Sequence, residues 1–174
     1  ITDLNSYRKE IKERESKKGV KITFLPFLMK ACVKTLEKHP TFNSSLDIEE
    51  NNLIIKKYYN IGIAVDTKAG LVVPVIKDVD QKNIVQLSKE LVDLSSRAKD
   101  KKLKPEEMKG GTFTISSLGG ISGTGFSPIV NPPEVAIMGV SKSQYRPVYF
   151  EKTKIFEPRL VMPFSISYDH RVID

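Results

Sequence analysis

Apolar residues recur at helical spacing in two long stretches of the chain. In residues 22–38, Leu25, Leu28, Cys32 and Leu36 share one face, and Phe24, Phe27, Met29 and Val33 widen it. This is the pattern of a helix with a broad buried stripe. Pro26 fits such a helix only in its first turn. His39-Pro40 ends it and leaves His39 as a capping charge near the C-terminus. Residues 82–100 predict a second helix, with Ile84, Leu87, Leu91, Leu94 and Ala98 as its stripe and Glu90 and Asp93 facing away. Residues 3–16 predict a third, with Asp3 as N-cap and a thin stripe of Leu4, Tyr7 and Ile11. So narrow a stripe suits a surface or a partner better than a core.

Elsewhere the period shortens toward two. Residues 53–57, 59–66 and 71–76 predict strands, the last two joined by a turn at Asp66-Thr67-Lys68-Ala69-Gly70. Pro105–Met108 predicts a short helical turn, and strands resume at about 112–116, 134–140, 146–150 and 159–168. Val161–Tyr168 reads as a buried strand. The Gly-, Ser- and Pro-rich segment 117–133 is long for a structureless loop, which points to function or to contact with a partner. Helices and strands mix without strict alternation. That predicts an α+β domain, a mixed sheet covered by helices.

Composition narrows the class. A chain of 174 residues, 40% hydrophobic and 28% charged, is one domain with enough chain for a core. No apolar run reaches the ~18 residues of a membrane span. Ile1-Thr2-Asp3-Leu4 lacks a signal region and reads as the start of a fragment. Cys32, the single cysteine, cannot form an internal disulfide and reads as core filling, so a reducing compartment is the simpler expectation. The net charge of +7 raises the question of nucleic acid. The lysines are spread along the chain, Trp is absent and no nucleic-acid motif occurs, so most of them read as solvated faces. A few are suited to steering the phosphates of a nucleotide-type cofactor.

One candidate for chemistry stands at the end of the chain. His170 follows the last predicted strand, with Asp169 and Arg171 beside it and Asp174 four residues on. A histidine delivered by a rigid strand can serve as a base near neutral pH. The same residues also fit a structural histidine at a strand-to-helix turn, and residue types alone do not choose.

Ser167-Tyr168-Asp169-His170-Arg171-Val172-Ile173-Asp174 resembles the active-site signature of the dihydrolipoamide acyltransferases, the catalytic cores of the 2-oxo acid dehydrogenase complexes. Three further segments resemble signatures of that family, in its order. They are Gly110-Gly111-Thr112-Phe113-Thr114-Ile115-Ser116-Ser117-Leu118-Gly119-Gly120, Asn131-Pro132-Pro133-Glu134-Val135-Ala136-Ile137-Met138-Gly139-Val140 and Gly70-Leu71-Val72-Val73-Pro74-Val75-Ile76. Within the family, the acetyl-transferring branch of the pyruvate dehydrogenase complex is the nearest match.

The resemblance implies a two-layer sandwich like that of chloramphenicol acetyltransferase. It also implies transfer of an acyl group between a dihydrolipoyl-lysine arm and coenzyme A. On that pattern His170 is the base, Asp174 orients the site from a second layer, and Ser116 donates a hydrogen bond to the oxyanion. Ser117 is the competing choice, and a strand-end serine bonded to backbone is the plainer reading. Arg171 is expected to turn from His170 and pair with an acid, Asp169 being the candidate. Phe126, Pro128, Asn131 and Met138 lie in segments suited to lining a substrate channel.

The family also implies a homotrimer building a larger symmetric core, with Ser116 of one subunit facing His170 of the next. The decarboxylase and dihydrolipoamide dehydrogenase components and the lipoyl domains are the implied partners. No nucleic acid, membrane or metal is expected. The compartment is the bacterial cytoplasm, or alternatively the mitochondrial matrix. The whole chain, 1–174, then reads as a catalytic-domain fragment lacking its beginning and the helix after Asp174. Succinyl or branched-chain transfer, and a non-catalytic structural core, are the alternatives.

Overall fold

A computed structural model of the protein describes residues 1–119 and 123–174. Gly120, Ile121 and Ser122 of the loop predicted over 117–133 fall outside the described residues. The chain begins with α1 (Thr2–Ser16) and α2 (Leu25–Lys38), followed by a 3-10 turn at Pro40–Asn43. A hairpin of β1 (Ser44–Asp47) and β2 (Asn52–Ile55) comes next, then β3 (Ile61–Thr67), β4 (Gly70–Val72) and β5 (Val75–Ile76). After α3 (Ile84–Lys99) come β6 (Phe113–Ser117), β7 (Ala136–Val140), β8 (Gln144–Phe150), β9 (Ile155–Val161) and β10 (Phe164–Tyr168). Short 3-10 turns at Val79–Gln81 and Pro105–Met108 flank α3.

Six strands form the main sheet, in the order β10-β7-β6-β3-β4, with β5 also paired to β3. The central strands β3, β6 and β7 run parallel, and β10, β4 and β5 join antiparallel. The architecture is thus the expected α+β arrangement of a mixed sheet layered with helices. Registers Ile61↔Phe113 and Ile63↔Ile115 put those side chains on one face, and Ile115↔Met138 continues the row. Against this face pack Met29, Val33 and Leu36 of α2 and Leu87, Leu91 and Leu94 of α3, forming one core.

The helices hold for the reasons their patterns gave. Pro26 occupies the first turn of α2. Asn83 caps α3 through a reciprocal pair: its Oδ1 accepts from the Gln86 amide, and Gln86 Oε1 accepts from the Asn83 amide, both at 2.9 Å. Asp3 does not cap α1. Ile1 holds the N-cap position without a side-chain bond, and Asp3 sits in the first turn, 3.4 Å from the Arg159 guanidinium. Nor is α1 a bare surface helix. Ile11 is buried with Val20 and Ile22, against Phe27 and Val85.

The strand predicted over 159–168 is two strands in different sheets. β9 pairs with β8, and β10 pairs with β7. Met162-Pro163 separates them, and Pro163 offers no N–H to a ladder but accepts a bond from the Ser141 amide. β10 is also not buried. Phe164 is 62% exposed, Ile166 45% and Tyr168 41%, because β10 is the sheet's edge and no helix among the described residues covers it. The β1 strand, Ser-Ser-Leu-Asp, has too little apolar alternation to be predicted. It is held by the buried Asn43, whose Nδ2 donates to the Lys56 and Tyr58 carbonyls.

The opposite face of the sheet carries small and hydroxyl-bearing residues: Gly62, Thr114, Ser116, Gly139 and Ser165. Buried there is Glu134, which accepts a 2.7 Å hydrogen bond from Thr114 Oγ1. Gly111 leaves it room: a Cβ there would lie 2.5 Å from Glu134 Oε1. Burial raises the Glu134 carboxyl to about 7, against the smaller opposing effects of the Thr114 bond and the Lys56 charge.

Two measurements test this packing. Ile115 has no exposed surface, and Ile115→Ala is expected to cost about 3–4 kcal/mol in urea unfolding. A cost under about 1 kcal/mol would contradict its place at the centre of the core. Glu134 binds its proton more tightly folded than unfolded, so it favours the folded state below the unfolded pKa. That contribution is lost as pH rises from ~4.3 toward the folded value of about 7. Glu134→Gln should flatten the pH dependence of stability across that window, by up to roughly 3 kcal/mol. A variant with the parental pH slope would refute the burial.

Candidate active site

β10 delivers His170 through a tight turn. The Asp169 amide bonds the Val135 carbonyl, and the Val172 and Ile173 amides both return to the Asp169 carbonyl. The turn does not continue as a helix among the described residues. Ile173 is buried in the main core and anchors it.

Arg171 pairs with Asp169, as expected. Its Nη2 lies 2.6 Å from Asp169 Oδ2 and its Nε 2.9 Å from Oδ1, and its backbone amide donates to Oδ1 as well. These bonds hold the Asp169 carboxyl down at about 2. The guanidinium is therefore committed to its own neighbour and leaves the imidazole clear.

His170 itself is open, its side chain 76% exposed. The ring leans on Tyr168 at 5.9 Å between centroids, and Tyr168 meets Phe42 edge-on at 6.2 Å. Its Nδ1 faces Asp174 Oδ1 at 3.7 Å, beyond hydrogen-bond reach, and the Asp174 side chain is fully exposed. The other histidine, His39, ends α2 and lines an apolar groove with Phe42, Met138, Phe164 and Ile166.

Ser116 lies near the end of β6, paired with Ala64 on one side and Gly139 on the other. Ser117 takes the opposite face, beside α2 and α3 residues, and accepts a 3.4 Å bond from the Gly119 amide. Phe126 and Pro128 fold back over Gly139. A Cβ at Gly139 would come within 2.8 Å of Phe126 Cζ and 3.0 Å of Pro128 Cδ. Ser165 Oγ ties this loop down by donating to the Phe126 carbonyl.

Of the four channel candidates, the structure groups Phe126 and Pro128 beside the Ser116 row. Met138 points into the helix-side core, and Asn131 borders a separate pocket near Glu134, Lys56 and Tyr58. Glu134 and Thr114 were not singled out from sequence. The signal was an acid set directly before the apolar run Val135–Val140.

One chain does not bring Ser116 and His170 together. Ser116 aligns with Gly139, and Gly139 with Ser165. His170 lies five residues beyond Ser165. At ~3.3 Å per residue and ~4.8 Å per strand, the two are on the order of 15–20 Å apart, at opposite ends of the sheet. Among the described residues no three His, Cys, Asp or Glu side chains form a metal cluster. Cys32 is buried in the core, which pushes its thiol up to about 12 and makes it inert.

The match of the whole chain, residues 1–174, is to the catalytic domain of the 2-oxoacid dehydrogenase acyltransferases. A curated relative from Haemophilus influenzae is 56% identical over 177 residues. It is the dihydrolipoyllysine-residue acetyltransferase component of a pyruvate dehydrogenase complex. The chain is covered completely but spans 31% of that relative's length.

The solved Azotobacter vinelandii dihydrolipoamide acetyltransferase is 53% identical, with a TM-score of 0.96 over all of this chain and 71% of that one. It was studied for the catalytic role of a serine, a histidine and an asparagine, the last two four residues apart. The cubic core of a pyruvate dehydrogenase multienzyme complex aligns as well, at 54% identity over all of this chain and 71% of that one, with a TM-score of 0.96. Chloramphenicol acetyltransferase shares the fold at 16% identity and a TM-score of 0.58, over 94% of this chain and 75% of its own. With the family model matched from end to end and relatives above half identity, the chain belongs to the 2-oxoacid dehydrogenase acyltransferases, as their catalytic domain.

Proposed function

We propose that this chain is the catalytic core of an acetyltransferase that moves an acetyl group between dihydrolipoyl-lysine and coenzyme A. The parent protein then serves a pyruvate dehydrogenase complex in the bacterial cytoplasm. It works with a decarboxylase, a dihydrolipoamide dehydrogenase and mobile lipoyl domains. Both thiols are substrates: the lipoyl arm arrives on a separate domain, and coenzyme A from solution.

The observation that carries this reading is the separation of Ser116 and His170 within one subunit. Each stands at a solvent-reachable end of the same sheet, where the complementary group of a neighbouring copy can meet it. The exposed apolar surface supplies a reason to assemble. Tyr145, Tyr149, Ile155 and Phe156 of the β8–β9 hairpin and Phe164 and Ile166 of β10 are large apolar side chains left exposed, which contact with a neighbouring copy would cover. A homotrimer, built into a larger symmetric core, buries them.

In the reaction the neutral imidazole of His170 takes the proton from the attacking thiol. The thiolate forms a new C–S bond at the thioester carbonyl, whose oxygen becomes an oxyanion. Ser116 Oγ–H of the adjoining subunit donates to that oxygen, an interaction worth about 3 kcal/mol in comparable sites. The old C–S bond then breaks, and the departing thiolate recovers the proton from the imidazolium. Asp174 faces Nδ1 and favours the proton there, which leaves Nε2 as the base. Asp174 has the same four-residue spacing from the histidine as the asparagine studied in the A. vinelandii enzyme, with a carboxylate in place of the amide. Phe126 and Pro128, packed beside the Ser116 row, form the wall nearest the oxyanion.

Acetyl-CoA, succinyl-CoA and isobutyryl-CoA should be offered to the full-length assembly with dihydrolipoamide. Acetyl transfer is expected to be fastest, and faster succinyl transfer would reassign the substrate. His170→Ala is expected to lose at least about a hundredfold in kcat with the assembly intact. Co-refolding His170→Ala with Ser116→Ala tests the shared site. Random mixing should regenerate about a quarter of the sites, each taking its serine and histidine from different subunits. Mixed assemblies no more active than either parent would refute it.

A further inference from the structure

Where β6 and β7 begin, a cavity of about 530 Å³ lies between the β1–β2 hairpin, residues 108–111 and residues 131–134. Three of its polar groups lack partners. Ser45 is 8% exposed, and its buried Oγ makes no hydrogen bond among the described residues. Glu134 gives one carboxylate oxygen, Oε2, to Thr114, and its Oε1 accepts no hydrogen bond among the described residues. Lys56, half-buried just beyond β2, forms no ion pair among the described residues. Buried polar groups without partners are rare and costly, so three facing one cavity mark a place built for a ligand.

The charges define its chemistry. Lys56 and Glu134 act on each other without touching. Burial lowers the Lys56 ammonium from its ordinary value, against the attraction of Glu134, and the same desolvation raises the Glu134 carboxyl. Lys109 adds a second cation from an exposed position, and Tyr58 and Asn131 add polar groups beside it. Between them the walls are apolar, with Ile54, Val73, Val75 and Met108. A simple anion would satisfy Lys56 and leave Oε1 unmet, and a simple cation would do the reverse. An apolar molecule would satisfy none of the three. A molecule with both charges and an aliphatic body meets every feature, and the volume suits a small molecule.

We propose that this cavity binds a small zwitterion with an apolar side chain, an α-amino acid in chemical type. Its ammonium donates to Glu134 Oε1, its carboxylate accepts from Lys56 and Ser45 Oγ, and its side chain rests on Ile54, Val75 and Met108. The site uses neither Ser116 nor His170, so it goes beyond the acetyl-transfer reading and does not depend on it.

Calorimetric titration of the full-length assembly with L-leucine tests the proposal. Two further probes, 4-methylpentanoate and 3-methylbutylamine, lack the ammonium and the carboxylate respectively. L-leucine should bind saturably, and each truncated probe about tenfold or more weakly. At about pH 6 Glu134 rests protonated, its carboxyl being raised to about 7, and a neighbouring ammonium favours the carboxylate. Binding of L-leucine should therefore release a proton, read from titrations in two buffers of different ionisation enthalpy. Glu134→Gln should abolish that release and weaken binding about tenfold. Lys56→Gln, which breaks no ion pair of the described residues, should weaken L-leucine about tenfold without weakening 3-methylbutylamine. No saturable binding of L-leucine, or binding indifferent to both substitutions, overturns the proposal. Equal binding of 4-methylpentanoate overturns it as well, by assigning the cavity to a plain carboxylate. Acetyl transfer measured on the same preparations reports on Ser116 and His170 alone, so the failure of one reading leaves the other standing.

Discussion

The alternation of side chains along β3, β6 and β7 is the constraint on which the rest of the structure depends. A strand sends successive residues to opposite faces. Here one set is Ile61, Ile63, Phe113, Ile115 and Met138, sealed beneath α2 and α3. The other set includes Gly62, Ala64, Thr114, Ser116, Ile137 and Gly139, and the bare Gly139 lets the loop of Phe126 and Pro128 lie directly on the sheet. A one-residue slip in β6 would turn Ser116 into the core and expose Ile115. The apolar face thereby fixes the position of the candidate oxyanion donor.

At the other end of the sheet the argument is electrostatic. An arginine adjoins the histidine, and a free guanidinium there would oppose a positive imidazolium. The bidentate bond to Asp169 removes that effect, and the same carboxylate caps the turn through the Arg171 amide. One side chain thus shapes the loop and quiets its charge. What remains beside His170 is an aromatic support, Tyr168 on Phe42, and the Asp174 carboxylate.

Much of this was legible from the chain. The helical stripes placed α2 and α3, because their burial repeats on a period that neighbours in sequence reveal. The pairing of Asp169 with Arg171 was equally local. Features set by distant residues were not legible. β10 looked buried because Phe164, Ile166 and Tyr168 are apolar, yet edge status depends on what pairs beyond it, and among the described residues no strand does. The run 159–168 looked continuous because the step from one sheet to another at Met162-Pro163 has no periodic signature. The role of Glu134 depends on Thr114, twenty residues away, and on the space left by Gly111. His170 stood out by its place after the last predicted strand, while its role and the choice of Ser116 came from resemblance. Their separation in one subunit needed the strand registers.

That separation links chemistry to quaternary state. A newly made subunit holds the proton acceptor and the oxyanion donor out of each other's reach, so on the proposed mechanism it is silent toward thioesters while free. Turnover then begins only at the seam where copies close on one another. Dilution below the association threshold should quench the rate cooperatively while each polypeptide stays folded.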